Sequence, residues 1–121
     1  MSLVDTERLR TIAEIEYTDI VADVLIHNLN TLRVILRDGS FVDIWYSLKL
    51  VDRYSYHWER RAIDGTIFRH DNAPHQRWEQ MGSFPKHFHN GSEEKVEASS
   101  ISSDPETALR EFLDFVRSKL Q

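Results

Sequence analysis

Two Asp-Gly pairs constrain this chain more than anything else in it. Asp38-Gly39 and Asp64-Gly65 are strong short-range hairpin signals, because tight hairpin turns need residues that tolerate positive φ. The first divides the run Thr31–Arg37 from Phe41–Leu48, and the second divides Tyr54–Arg61 from Thr66–Asp71. Upstream, Asp19–Asn28 meets Thr31–Arg37 across the turn-forming Asn28 and Asn30. Each run is rich in β-branched and aromatic residues, and no gap between them has the dozen residues that a parallel crossover requires. The pattern predicts a single antiparallel sheet of about five strands in a meander.

A helix is expected at each end. Leu9, Ile12, Ala13 and Ile15 leave an apolar stripe over 5–15, with Asp5 or Thr6 placed to cap it. Ser103-Asp104-Pro105-Glu106 combines capping-box spacing with proline in a first turn, and Leu109, Phe112, Leu113, Val116 and Leu120 then share one face. The fold class is therefore α+β, with a short N-terminal and a longer C-terminal helix packed on one face of the sheet. A chain of 121 residues supports one core, so 1–121 reads as a single domain. Tyr54, Tyr56 and Trp58 alternate with Ser55, His57 and Glu59, which assigns the aromatics to the core and the polar groups to the opposite face.

Composition removes several function classes. The chain has no cysteine, so disulfides, thiol nucleophiles and thiolate metal sites are excluded, and a reducing, cytoplasmic setting is the expectation. No apolar run approaches the ~18 residues of a membrane span, and Met1–Arg10 lacks the layout of a secretion signal. A net charge of −5 argues against a general polyanion binder, whose affinity comes from Lys and Arg neutralising phosphates. Charge is uneven, however: five of the six histidines and eight of the fifteen Lys and Arg residues fall between Lys49 and Lys95. Any local anion site belongs there.

Residues 72–91 show neither helical nor strand periodicity and contain two of the three prolines. A connection this long inside a compact domain is usually functional, and this one is read as a His-rich functional loop. His87 and His89 are two apart, so an extended backbone points both imidazoles the same way. Asp71 and His75 lie just upstream, and the bend from Gly82 to Pro85 would bring the halves together. Such a set suits a hard or borderline divalent metal, or metal-free phosphodiester cleavage by one neutral and one protonated histidine beside an arginine. Arg53, Arg69 and Lys86 are the candidate cations. No other cofactor is expected.

The blocks Arg53-Tyr54-Ser55-Tyr56-His57, Arg69-His70-Asp71-Asn72-Ala73-Pro74-His75 and Phe84-Pro85-Lys86-His87-Phe88-His89-Asn90-Gly91 resemble the TumE family, toxin components of bacterial toxin–antitoxin pairs. The resemblance runs from the early hairpins through the acidic Glu93-Glu94 to the final helix. Its most specific pieces are Asp-Asn-Ala-Pro-His and Phe-Pro-x-His-x-His-x-Gly, from which Gln76 and the intervening Phe88 mark departures. It implies a small protein silenced by a cognate antitoxin. Ribonuclease action is the favoured chemistry, because toxins of this size commonly attack RNA and histidines beside arginines suit it. In that reading His75 pairs with His87 or His89 as acid and base, Asp71 orients one imidazole, and Arg53 or Arg69 stabilises the phosphorane. The alternatives are a non-catalytic protein-binding module whose histidines only order a partner interface, and a metal-dependent hydrolase. The oligomeric state stays open, a dimer included.

Overall fold

The computed structural model describes residues 3–121; Met1 and Ser2, which begin the stretch tested above for a secretion signal, lie outside the described residues. The elements in chain order are α1 (Thr6–Glu16), β1 (Val21–Asn28), β2 (Thr31–Leu36), β3 (Phe41–Tyr46), β4 (Tyr54–Arg60), a one-turn α2 (Arg61–Asp64), β5 (Thr66–Asp71), β6 (His87–Gly91), β7 (Val96–Ala98) and α3 (Pro105–Leu120). All the strands belong to one sheet in the order β1-β2-β3-β4-β5-β6-β7, and each neighbouring pair is antiparallel. The meander is as expected, but it has seven strands rather than about five. The two additional strands lie in and just after the stretch 72–91. In His87–Gly91 only Phe88 is apolar, so no alternation announces a strand. It forms because β5 and β7 both pair with it, a tertiary cause invisible in a local window.

The turns follow their chemistry. Gly39 takes φ 92°, and Asp38 accepts a hydrogen bond from the Ser40 N–H at 2.9 Å. Asp64-Gly65, expected to form a tight hairpin, instead closes α2, with Gly65 as its left-handed cap. At α3 the Asp104 carboxylate accepts from the Thr107 N–H at 3.0 Å, and Pro105 occupies the first turn. Asp5 caps α1 in the same way through the Arg8 N–H, at 3.0 Å.

Strand periodicity of two sorts the sheet into two unlike faces. Leu32, Val34, Val42, Ile44, Tyr56, Trp58, Phe68 and Phe88 share one face and are buried. On α3, Phe112 lies edge-on to Tyr56, and Phe115 packs against Trp58, Phe68 and Phe88 with ring centroids 5.3–6.2 Å apart. Leu9, Ile12 and Ala13 of α1 join the same cluster, so both long helices cover this one face. Burial of each large side chain there contributes roughly 1.5–3 kcal/mol. Arg110 and Arg117 on α3 make two-pronged pairs with Glu16 and Asp19. These pairs are largely exposed and add little beside the core.

The other face is polar. The cross-strand register places Arg33, Asp43, His57, Arg69 and His89 in one transverse row, and Trp45, Ser55, Asp71 and His87 in the next. The segment between β5 and β6 crosses this side, with the Trp78 ring 6.1 Å from that of His87.

Candidate functional site

Alternation within β5 and β6 turns Arg69, Asp71, His87 and His89 to the polar face. Their register then makes Arg69 the direct neighbour of His89, and Asp71 that of His87. His70, between them, points the other way, into the core, where it stacks on Phe88 and bonds Ser99 Oγ at 2.7 Å. The hairpin geometry is therefore what converts four residues separated by the long segment into one cluster.

The two imidazoles are fixed by main-chain acceptors. His87 Nδ1 lies 3.1 Å from the Pro85 carbonyl oxygen, and His89 Nδ1 lies 2.8 Å from that of Glu93. A carbonyl only accepts, so both Nδ1 atoms donate and both Nε2 atoms face Asp71. His87 Nε2 is 2.9 Å from Asp71 Oδ1, whereas His89 Nε2 is 3.9 Å from Oδ2. The first is an ion-pair contact, charged only when that nitrogen carries a second proton. The second is beyond hydrogen-bond reach and leaves His89 Nε2 without a partner on Asp71. Burial holds the His89 pKa below the ordinary histidine value, against the opposing pull of the Glu93 carbonyl. The rings are 5.1 Å apart. Two imidazoles with their Nε2 atoms turned to one carboxylate thus stand side by side.

Arg69 ties this pair to its surroundings. Its Nε is 3.2 Å from Asp71 Oδ2, one Nη is 3.3 Å from His57 Nδ1, and the other is 2.5 Å from Glu93 Oε1. His57 Nε2 in turn meets Glu59 at 3.0 Å, Glu59 takes Arg61 at 2.8 Å, and Arg61 reaches Glu93 at 3.5 Å. The result is a closed ring of five side chains, Arg69, His57, Glu59, Arg61 and Glu93, beside His87 and His89. Burial alone would raise the Glu59 pKa, but hydrogen bonds from His57 and the Arg61 N–H keep it below the usual carboxylate range.

The other expected participants fare differently. His75 is exposed, and its ring centroid is 6.1 Å from that of His87, so it stands at the edge of the cluster. Among the described residues it is outside the set whose possible ligand atoms converge; Asp71, His87 and His89 place theirs within 4.8 Å of one another. Arg53 does not join the cluster. It precedes β4, beyond the strand position opposite Asp71, and its main-chain N–H and carbonyl close the β3–β4 turn through Leu50 and Ser47. Lys86 is diverted to the Ile101 carbonyl at 2.7 Å. His57, Glu59 and Glu93 were not singled out as site residues. Alternation already assigned His57 and Glu59 to the polar face, but only the register reveals that they stand beside Arg69.

A family model described as Toxin TumE matches residues 3–120 of the chain. No curated protein matches it, and no solved structure does.

Proposed function

We propose, for a chain that belongs to the TumE toxin family, that the toxic activity is cleavage of RNA at the polar face of the sheet by His89 and His87. The observation that carries this reading is the pair of rings held by carbonyls so that both Nε2 atoms turn to Asp71, His87 in ion-pair contact at 2.9 Å and His89 free of it at 3.9 Å. His89 Nε2 would take the proton of a ribose 2′-hydroxyl as its oxygen attacks the adjacent phosphorus. The His87–Asp71 pair would supply the proton for the departing 5′-oxygen, leaving a 2′,3′-cyclic phosphate and a 5′-hydroxyl. Asp71 orients His87, and Arg69 supplies positive charge for the phosphorane. His75 lies where it would border the substrate path. A toxin of this family implies an antitoxin partner, and the segment 72–86 together with the edge strands β1 and β7 offers the surface for it.

The test is expression of the full chain with and without its antitoxin, followed by incubation of purified protein with a defined RNA. Growth arrest relieved by the antitoxin, and products with cyclic phosphate ends that vanish in His89→Ala, are expected. Arrest that persists undiminished in folded His89→Ala and His87→Ala variants overturns the catalytic reading in favour of a binding module.

The convergence of Asp71, His87 and His89 within 4.8 Å favours a second reading, a metal-dependent hydrolase. Two imidazoles and a carboxylate suit a borderline divalent ion, and main-chain carbonyls that fix each Nδ1–H are the usual support for such ligands. Cleavage that is lost on chelation and restored by zinc or manganese would select it.

A further inference from the structure

Glu93 makes two connections to the site that differ in permanence. Its carbonyl, part of the β6–β7 turn, anchors His89 Nδ1 at 2.8 Å. Its carboxylate lies between two guanidiniums, 2.5 Å from Arg69 and 3.5 Å from Arg61. Two arginines around one group of anionic oxygens is the arrangement that binds a phosphate. Arg69 is a firm wall for such a site: it is mostly buried and also held by Asp71 and His57. The Glu93 side chain, 46% exposed, is the movable part.

Charge gives the second argument. Glu59, Asp71 and Glu93 surround Arg61 and Arg69, so three carboxylates offset the two guanidiniums and the proton that the cleavage reading puts on His87, in a chain already at −5. An anionic substrate meets no net positive charge there unless one carboxylate withdraws. Asp71 is held by His87, Arg69 and the Ala73 N–H. Glu59 is held by His57 and by both the side chain and the N–H of Arg61. Glu93 has only ion pairs to its carboxylate, from the two guanidiniums and, at 3.8 Å, from the His89 ring, and its carbonyl would keep His89 in place as the carboxylate left.

We infer that Arg61 and Arg69 form a phosphate subsite which the Glu93 carboxylate fills in the free protein, and that a backbone phosphate of the nucleic acid displaces it. This rests on the RNA-cleaving reading and assigns to it the group that receives the phosphate. The free protein is then self-blocked, and removal of one negative charge should open it.

The experiment measures binding of an uncleavable 2′-deoxy oligonucleotide to the full chain by fluorescence anisotropy at low salt. Glu93→Gln should tighten binding at least about five-fold, and Arg61→Gln in that background should reverse the gain with a shallower salt dependence. Unchanged or weaker binding by Glu93→Gln overturns the subsite. Inorganic phosphate is the second probe; if it binds Glu93→Gln as tightly as the oligonucleotide does, the ligand is a small phosphate and the assignment to nucleic acid falls. Because the oligonucleotide cannot be cleaved, the two readings fail separately. Tightening without RNA cleavage keeps the subsite and loses the catalytic reading, whereas cleavage without tightening does the reverse.

Discussion

His87 and Asp71 stand opposite each other on β6 and β5, with His87 Nε2 2.9 Å from Asp71 Oδ1 and the imidazole side chain only 1% exposed. Truncating one partner of a buried charged pair leaves the other without compensation. Asp71→Asn keeps the shape but removes the charge that faces His87 Nε2. It should reduce RNA cleavage at least a hundred-fold and cost about 1–3 kcal/mol of stability. Kinetics and urea unfolding check both, and a variant equal to wild type in each would deny the pair any role.

In the cleavage reading proposed above, His89 sets the acid limb of activity. As a base it must be neutral, and burial lowers its pKa, so cleavage should fall only as pH drops through that lowered value. The limb in a kcat/KM profile is expected below about 6.5, the ordinary histidine midpoint. A limb above that point would remove His89 as the base.

His70 makes stability depend on pH. Burial lowers its pKa to about 4, below the unfolded value of about 6.5, so the unfolded chain takes up the proton first as pH falls. Its contribution, on the order of 3 kcal/mol, is therefore fully present above about pH 6.5 and is lost as pH falls toward 4. Urea unfolding at pH 7 and pH 4.5 should show the loss in wild type and a smaller one in His70→Gln. Equal losses would assign the acid sensitivity elsewhere.

Phe112 is 1% exposed, lies edge-on to Tyr56, and packs against Phe115 and His70. Phe112→Ala should cost about 3–5 kcal/mol, and Phe112→Asp more, because it also buries a charge. A change within half a kcal/mol, roughly the scatter of surface substitutions, would mean that α3 does not close the core.

The elements that could be read from the sequence were those whose causes are local. The α3 helix announces itself through Asp104, Pro105 and a complete apolar stripe, and all five strands expected between Asp19 and Asp71 are present, with ends shifted by one or two residues. Strand β6 could not be read, because its histidines and asparagine alternate around a single apolar residue. The same limit shaped the site. Proximity along the chain grouped Arg53 with the cluster, although it falls past the end of the paired strand, and missed Glu93, which only the β6–β7 turn returns to Arg69. Spacing correctly placed His87 and His89 on one side of a strand. That His57 shares the row of His89 depends on register, which no single segment encodes.

The sheet order is also the order of synthesis. Each later strand pairs with the one made just before it, so the partners of Arg69 and Asp71, which are His89 and His87, precede α3 in the chain. Local pairing of this kind forms quickly, yet until α3 docks, the apolar face carrying Trp58, Phe68 and Phe88 lacks the ring of Phe115 that covers it. The polar row can therefore be assembled by hairpins alone, whereas its rigidity waits for the helix made last among these elements.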